Sequence, residues 1–577
     1  MVDEQRKRPR LLIAAILSIA SIAFAYSSGH PAFQVTALAL WIAAVTTVLL
    51  AHRSSVPEPA ETVSAIELIS VTAFAALLRL SWLELYPFPT VGEEIRDTGL
   101  AAREILGSQS VNLFGWAKYQ AHGMLTALSA TPFELILGPS VLSLRLPTAL
   151  LGILEVPLLT WIAASVIGRR GGLFVGLILS LLPLHLYVGR TQLVLGWSSI
   201  IASISIGVFS NSRFTRQESD RILLSGLLFG VALGFHAALR PVLLIMSMYA
   251  FYRAGGCTLN SRLRQLVAWC FGCFVGAGPK LLHVTLPILL HQKRHLQPEQ
   301  LLQTDEISLI LQLVTARIAD SYRVFLDLPL VDFSPAREPL LPLLGTVILL
   351  IGVLRAARSG HPALHYAALL FFIVPITNSA LTNRVNAAHR LVPLLPVIAI
   401  LCGTAATWLL HVTSKIRPAL TRWLVSALAA LVILAPFSYE SLRFFILEFG
   451  SKGVFRASRS GLYQDFLARY LAESPVAKGA TTLCIVASKD DARYFRLLHV
   501  REHFAYLLPG RSVTVGESDQ LQTGEVALLP TCPAHRLSLQ ELTPHELCTT
   551  YQRWLCSFDG IRLRIYSEKQ VPSAAAP

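Results

Sequence analysis

Glu93 and Glu94 are the residues of this 577-residue chain whose type and setting best suit chemistry. They follow an apolar run that closes on Leu85-Tyr86-Pro87-Phe88-Pro89, and they open an amphipathic helix. Asp97 comes one turn later, on the same side as the glutamates. A carboxylate at a membrane–water boundary is suited to take a proton from a hydroxyl or to ligate a metal. The plainer reading is that acidic residues in a first helical turn complement the helix dipole. Further along, Lys118 in Ala117-Lys118-Tyr119-Gln120-Ala121-His122-Gly123 can bind a phosphate as a point charge or snorkel at the interface. Arg190, His236, Arg240, Lys280, His283, His389 and Arg390 fall at the outer ends of other apolar runs. Ionisable residues near membrane depth are costly and mark cavities with a function. As a group, cations facing one leaflet with carboxylates in an adjoining loop point to an anionic, lipid-linked substrate.

The elements that must position these residues are transmembrane helices. The chain is 53% hydrophobic and 15% charged, against about 25% charged in a typical soluble domain. Its apolar residues come in blocks of roughly 17–25, the length that spans a bilayer as a helix. About thirteen spans are expected, over residues 11–27, 33–51, 63–86, 146–168, 171–188, 192–210, 222–239, 241–253, 265–284, 340–356, 363–378, 391–411 and 422–440. Eighteen Lys and Arg residues, among them Arg6, Arg53, Arg169, Arg253 and Arg355, lie in one alternate set of connections. Four (Arg190, Arg240, Arg384 and Arg390) lie in the short connections of the other set. That bias sets the N-terminus in the cytoplasm, and an odd number of spans sets the C-terminus outside. It also accounts for the net charge of +14 without nucleic acid, for which no basic helix or aromatic binding pattern is present. The basic start followed by an apolar run and Ala23-Phe24-Ala25 also reads as a cleavable signal peptide; cleavage would leave the downstream orientation unchanged.

Three parts are expected: extra N-terminal helices over 1–62, a membrane domain over 63–444 and an extracytoplasmic α/β domain over 445–577. The outer loops 87–145 and 285–339 contain amphipathic stretches, such as Ile95, Leu100, Ile105 and Leu106 among charges, that suit helices lying on the membrane surface. In the last part, Leu483–Ala487, Ser512–Gly516, Val526–Pro530 and Ile561–Tyr566 read as strands, with a helix over Asp491–Leu507. Its cysteines, Cys484, Cys532, Cys548 and Cys556, form disulfides outside the cytoplasm or remain buried thiols. Cys270 and Cys273 have CxxC spacing, but inside an apolar span that argues against a metal or redox site. No Walker loop, GxGxxG, HExxH or GxSxG is present, so no cofactor is expected, and a divalent metal stays open with no metal site indicated.

With these residues in order, the sequence resembles the C-type (GT-C) membrane glycosyltransferases, in particular the bacterial protein-mannosyltransferase and aminoarabinose-transferase-like group. The resemblance runs through most of residues 80–412. It rests on an acidic pair opening a helix (Glu93-Glu94-Ile95-Arg96-Asp97 through Ile105-Leu106-Gly107) and on a lysine before a glycine (Lys118, Gly123). It continues with Ser143-Leu144-Arg145-Leu146-Pro147-Thr148-Ala149-Leu150-Leu151-Gly152, then Pro183-Leu184-His185 to Arg190, and a late Arg390-Leu391-Val392-Pro393. Glu93 stands where the family usually has Asp, one methylene shorter.

The resemblance implies a GT-C-like polytopic helical fold and transfer of a sugar from a polyprenyl-phosphate donor to an extracytoplasmic hydroxyl, with inversion. It implies catalytic roles for Glu93, Glu94 and Asp97, and phosphate binding by Lys118 with Arg190, Arg240, His389 and Arg390. The partners expected are the lipid-linked sugar, a glycan, lipid or protein acceptor, and the bilayer of the cell membrane. Two other readings stand beside this one. A transporter or flippase of lipid-linked saccharides would use the same cationic cavity without bond cleavage, although no internal repeat is visible and the long outer loop favours catalysis. An inactive scaffold would use the outer domain to hold a partner.

Overall fold

The structure, a computed structural model, describes residues 2–51, 63–84, 94–107, 110–115, 123–191, 193–210, 218–255, 258–283, 307–330, 339–380, 385–416, 419–443, 482–487, 498–517, 525–529, 539–541 and 564–568. The chain is a polytopic helical membrane protein with a small C-terminal sheet. In order, the helices are α1 (Val2–Ser27), α2 (Pro31–Ala51), α3 (Ala65–Leu80), a π-helix (Glu94–Leu100), α4 (Ala101–Gly107), α5 (Leu125–Leu128) and α6 (Thr131–Leu137). Then come α7 (Val141–Leu181), α8 (Pro183–Thr191), α9 (Leu193–Phe209), α10 (Glu218–Ala232), α11 (Leu239–Ala254) and α12 (Leu259–Ala277). The last are α13 (Ile307–Arg323), α14 (Leu343–Ala357), α15 (Pro362–Pro375), α16 (Ala388–Leu391), α17 (Leu395–Thr413), α18 (Ala419–Leu442) and α19 (Leu498–Leu507).

Among the described residues, every expected span overlaps a helix. Among the described residues, and by length and composition alone, six helical segments suffice to cross a bilayer: Pro9–Ser27, Pro31–Ala51, Val141–Leu181, Pro362–Ala380, Ala388–Thr413 and Ala419–Leu442. The other expected spans are helices that are shorter or more polar. Helix α7 is two expected spans joined at Gly168, whose backbone (φ 81°, ψ 164°) is open to glycine and reverses the chain before Arg169 and Arg170. Large apolar side chains face outward, Ile66 and Leu420 among them at 76% and 71% exposure. Such surfaces suit lipid and would be a liability in water.

Helices without a hydrophobic drive to associate pack through small residues. Gly226 and Gly230 of α10 meet Gly272 and Gly276 of α12 so closely that a methyl group at any of them would overlap the facing backbone. This backbone-to-backbone seam fixes the ends of α10 and α12, and with them the segments carrying His236 and Lys280. Cys270 and Cys273, on the same helix, are free thiols.

The N-terminal hairpin α1–α2 is tied to this unit. The Trp41 indole donates to the carbonyls of Val275 and Gly276 (3.2 and 3.0 Å), and Gln34 links Ala25, Ser28 and Leu113 through both ends of its amide. At the C-terminus, β1 (Thr482–Ala487), β2 (Ser512–Glu517), β3 (Glu525–Leu529), β4 (Leu539–Glu541) and β5 (Arg564–Glu568) form one mixed sheet in the order β2-β1-β3-β5-β4. The strand β4 was not expected. Cys484 is disulfide-bonded, while Cys532, Cys548 and Cys556 lie outside the described residues.

Candidate active site

Three arginines fix the way into the acidic loop. Arg190, fully buried, donates to the carbonyls of Leu78 and Ser81 (2.7 and 2.6 Å), satisfying the C-terminal end of α3. Arg145 donates from Nη1 to the carbonyl of Leu83 (3.1 Å), from Nε to Glu94 Oε1 (3.1 Å) and from Nη2 to Glu94 Oε2 (3.5 Å). The third, Arg96, donates to both oxygens of Asp97 (2.8 and 3.1 Å).

The two described carboxylates therefore engage different arginines, although the sequence set them on one side of a helix. The cause is local: Glu94–Leu100 is a π-helix, whose wider turn separates residues three apart. Nor does this helix lie on a membrane surface. Ile95 and Ala102 are fully buried, and Glu94 and Asp97 nearly so, because the turn is covered by α7, α9 and α19. Glu93 and Lys118 lie outside the described residues.

The cations gather at the adjoining helix ends. The His236 and His389 rings stand perpendicular with centroids 6.0 Å apart. Asn378 donates to the carbonyls of Ala238 and Arg390 (2.8 and 3.0 Å), so it ties the His236–Arg240 turn to α16 and its His389-Arg390 pair. The Lys280 ammonium is buried and donates to the carbonyl of Gly115 (2.9 Å), which also accepts from the Met124 amide (3.2 Å). The Gly123 amide donates to the carbonyl of Gly234 (3.1 Å), and a Cβ there would stand 2.5 Å from that oxygen. Gly115 and Gly123 are thus pinned to the cationic helix ends. The next turn, Met124 to Ala127, packs on Ala101 at the end of the acidic helix. Among the described residues, Gly115 and the segment from Gly123 to Ala127 thus lie between the acidic turn and the cations. His283 ends the short 3₁₀ turn (Gly278–His283) that carries Lys280.

Two features are not among the expected site residues. The first is a buried chain of polar groups between α3, α7, α8 and α9. Arg79 Nη2 donates to His185 Nδ1 (2.7 Å), and His185 Nε2 meets Glu155 Oε2 (3.0 Å). Ser199 and Ser203 donate to Glu155 Oε1 (2.8 and 2.7 Å). Arginine can only donate, so Nδ1 is the acceptor and the proton sits on Nε2, facing the carboxylate. Gly152 and Gly189 leave the room that the Arg79 side chain occupies: a Cβ at Gly152 would stand 2.9 Å from Arg79 Nε. A signal existed, since Glu155 is the single charge of the expected span 146–168 and Arg79 is a cation inside the span 63–86. The second is Tyr506 of the C-terminal domain, buried against the acidic helix. Among the described residues, no cluster of His, Cys, Asp and Glu could hold a metal ion.

No family model matches the chain, and no curated protein does. Among solved structures, the chain is similar to the oligosaccharyltransferase of Archaeoglobus fulgidus in its apo form (12% identity, TM-score 0.42, covering 78% of this chain and 64% of that one). It is also similar to ArnT from Cupriavidus metallidurans bound to undecaprenyl phosphate (14%, TM-score 0.45, 78% and 86%) and to the same protein in its apo state (14%, TM-score 0.42, 78% and 85%). The chain thus spans just under two thirds of the length of the archaeal enzyme.

Proposed function

We propose that this protein is a membrane glycosyltransferase that moves a sugar from a polyprenyl-phosphate donor to a hydroxyl of an extracytoplasmic acceptor. The ordered sequence motifs support that reading. The observation that carries it is that Gly115 and the segment from Gly123 to Ala127 lie between two sites. At one end is the acidic turn; at the other, the segments of His236, Arg240, Lys280, His389 and Arg390 meet. An acid–base site beside a concentration of cations suits the transfer of a group away from a phosphate.

In the proposed reaction, the acceptor oxygen attacks the anomeric carbon while the bond from that carbon to the phosphate oxygen breaks. Glu93 takes the acceptor's proton, and the polyprenyl phosphate leaves with the bonding electrons. Single displacement inverts the anomeric centre. Arg240, His389, Arg390 and Lys118 neutralise the leaving phosphate. Glu94, held by Arg145, and Asp97, held by Arg96, orient the turn rather than exchange protons. Arg190 anchors α3 beneath it.

The same reading sets the C-terminal domain outside the cytoplasm, which the arginine and lysine bias and the Cys484 disulfide both support. The test is transfer from labelled undecaprenyl-phosphate mannose and undecaprenyl-phosphate aminoarabinose to a membrane acceptor fraction. Glu93→Gln is expected to lower turnover by about 10²- to 10⁴-fold. Unchanged turnover would remove Glu93 from the mechanism. Label that crosses the bilayer with no release of free polyprenyl phosphate would instead identify a flippase.

A further inference from the structure

The C-terminal domain reaches into the acidic turn through the Tyr506 side chain. Helix α19 packs on the π-helix, and Tyr506 near its end is fully buried. The Tyr506 hydroxyl donates to Glu134 Oε2 (2.7 Å) and lies 3.0 Å from Ser143 Oγ. Ser143 Oγ donates in turn to Glu134 Oε2 (2.9 Å). The ring covers Gly99: a Cβ there would stand 2.5 Å from Tyr506 Cε2 and 2.6 Å from Leu144 Cδ2. Arg103, one turn beyond, reaches the carbonyl of Ala505 (3.5 Å).

The two partners of Tyr506 are the two halves of the acidic site. Gly99 belongs to the turn that carries Glu94 and Asp97. Ser143 and Leu144 directly precede Arg145, which holds Glu94. Tyr506 therefore spans the junction across which the Arg145–Glu94 pair is made. The hydroxyl fixes the α7 side through Ser143 and Glu134, and the ring fixes the π-helix side through Gly99. Sterically, only glycine lets the ring lie this close.

We propose that Tyr506 is a positioning residue for the transfer reaction, so that the C-terminal domain clamps the acidic turn in its working geometry instead of serving as an appended module. This rests on the proposed transferase reading. A displacement of about 1 Å at a reacting group can cost about a hundredfold in rate, which sets the size of the effect. Tyr506→Phe keeps the ring and removes the hydroxyl; Gly99→Ala keeps the hydroxyl and displaces the ring.

The experiment measures kcat and donor KM for both variants, using labelled undecaprenyl-phosphate mannose and aminoarabinose as donors. Amide hydrogen exchange over residues 94–107 is followed in the same full-length preparations. We expect kcat to fall by about tenfold to a hundredfold in each variant, donor KM to stay within about threefold, and exchange in the turn to quicken. A kcat within about twofold of the parent in both variants would overturn the proposal, as would a rise in donor KM with kcat held. If the parent protein transfers no sugar, the transferase reading fails by itself. The clamp is then judged by exchange alone, and an unchanged rate over 94–107 sinks it.

Discussion

The Arg145 guanidinium joins Glu94 to the end of the preceding span: two of its nitrogens donate to the Glu94 carboxylate while the third donates to the carbonyl of Leu83. The arginine and glutamate side chains are 0% and 1% exposed. Breaking a buried pair by removing one partner costs about 3–5 kcal/mol, because the other charge is left without compensation. Arg145→Ala is therefore expected to unfold at a markedly lower temperature in detergent and to lose transfer. Arg145→Lys keeps the charge but not the fork, and is expected to fall between the two. Equal melting temperatures for parent and Arg145→Ala would show that the pair holds nothing in place.

Removing the cations should weaken binding of the donor. Arg240→Ala and Arg390→Ala are each expected to raise donor KM by about tenfold, equivalent to about 1.4 kcal/mol. The double variant should fall short of additive, because Asn378 links the segments of both. Binding of undecaprenyl phosphate alone, followed by tryptophan fluorescence, checks this without turnover. Unaltered affinity in both variants would place the lipid phosphate elsewhere.

The buried Arg79–His185–Glu155 chain makes a prediction of opposite form. Glu155→Ala leaves His185 Nε2–H and two serines facing an empty acceptor site and takes the carboxylate from the chain that holds Arg79, and should destabilise the protein by about 3–5 kcal/mol. Replacing Arg79 and Glu155 together by Met and Leu should recover much of that loss, because apolar groups of similar volume carry no desolvation penalty. Titration with sodium dodecyl sulfate would measure the singles Glu155→Ala and Arg79→Met beside the double variant. A double variant as unstable as the sum of the singles would show that the charges act independently.

Much of this architecture was legible in the sequence because bilayer thickness enforces a simple signal, an apolar block of fixed length. The break in α7 was legible as Gly168 before two arginines, and the apolar run of 483–487 and the alternating residues of 512–516 gave β1 and β2. The cations could be gathered as a set because each ends a span. Their mutual placement could not, since it depends on the glycine seam of α10 with α12 and on Asn378. The acidic helix was legible as a helix but not as a π-helix, and that difference sends Glu94 and Asp97 to separate arginines. Arg79 and His185 lie 106 residues apart, and Ser143 and Tyr506 lie 363 apart. No local pattern encodes such contacts.

The docking of the C-terminal domain should depend on pH through Glu134. Burial holds the Glu134 carboxyl above the usual glutamate range, even though Tyr506 and Ser143 donate to it and Arg103 lies near. The same burial pushes the Tyr506 phenol up, so it remains a donor throughout. A carboxyl with a raised value in the docked state takes up a proton more readily docked than free. Its contribution to docking is thus fully present below the ordinary glutamate value and is lost as pH rises through the raised one. Amide exchange over residues 498–507 should therefore be slowest near about pH 4 and quicken toward about pH 8, after correction for intrinsic exchange. Glu134→Gln, which stays neutral and keeps an acceptor oxygen for Tyr506, should hold exchange nearly constant across that range. If Glu134→Gln follows the same pH profile as the parent, the dependence has another origin and Glu134 is not the group that titrates.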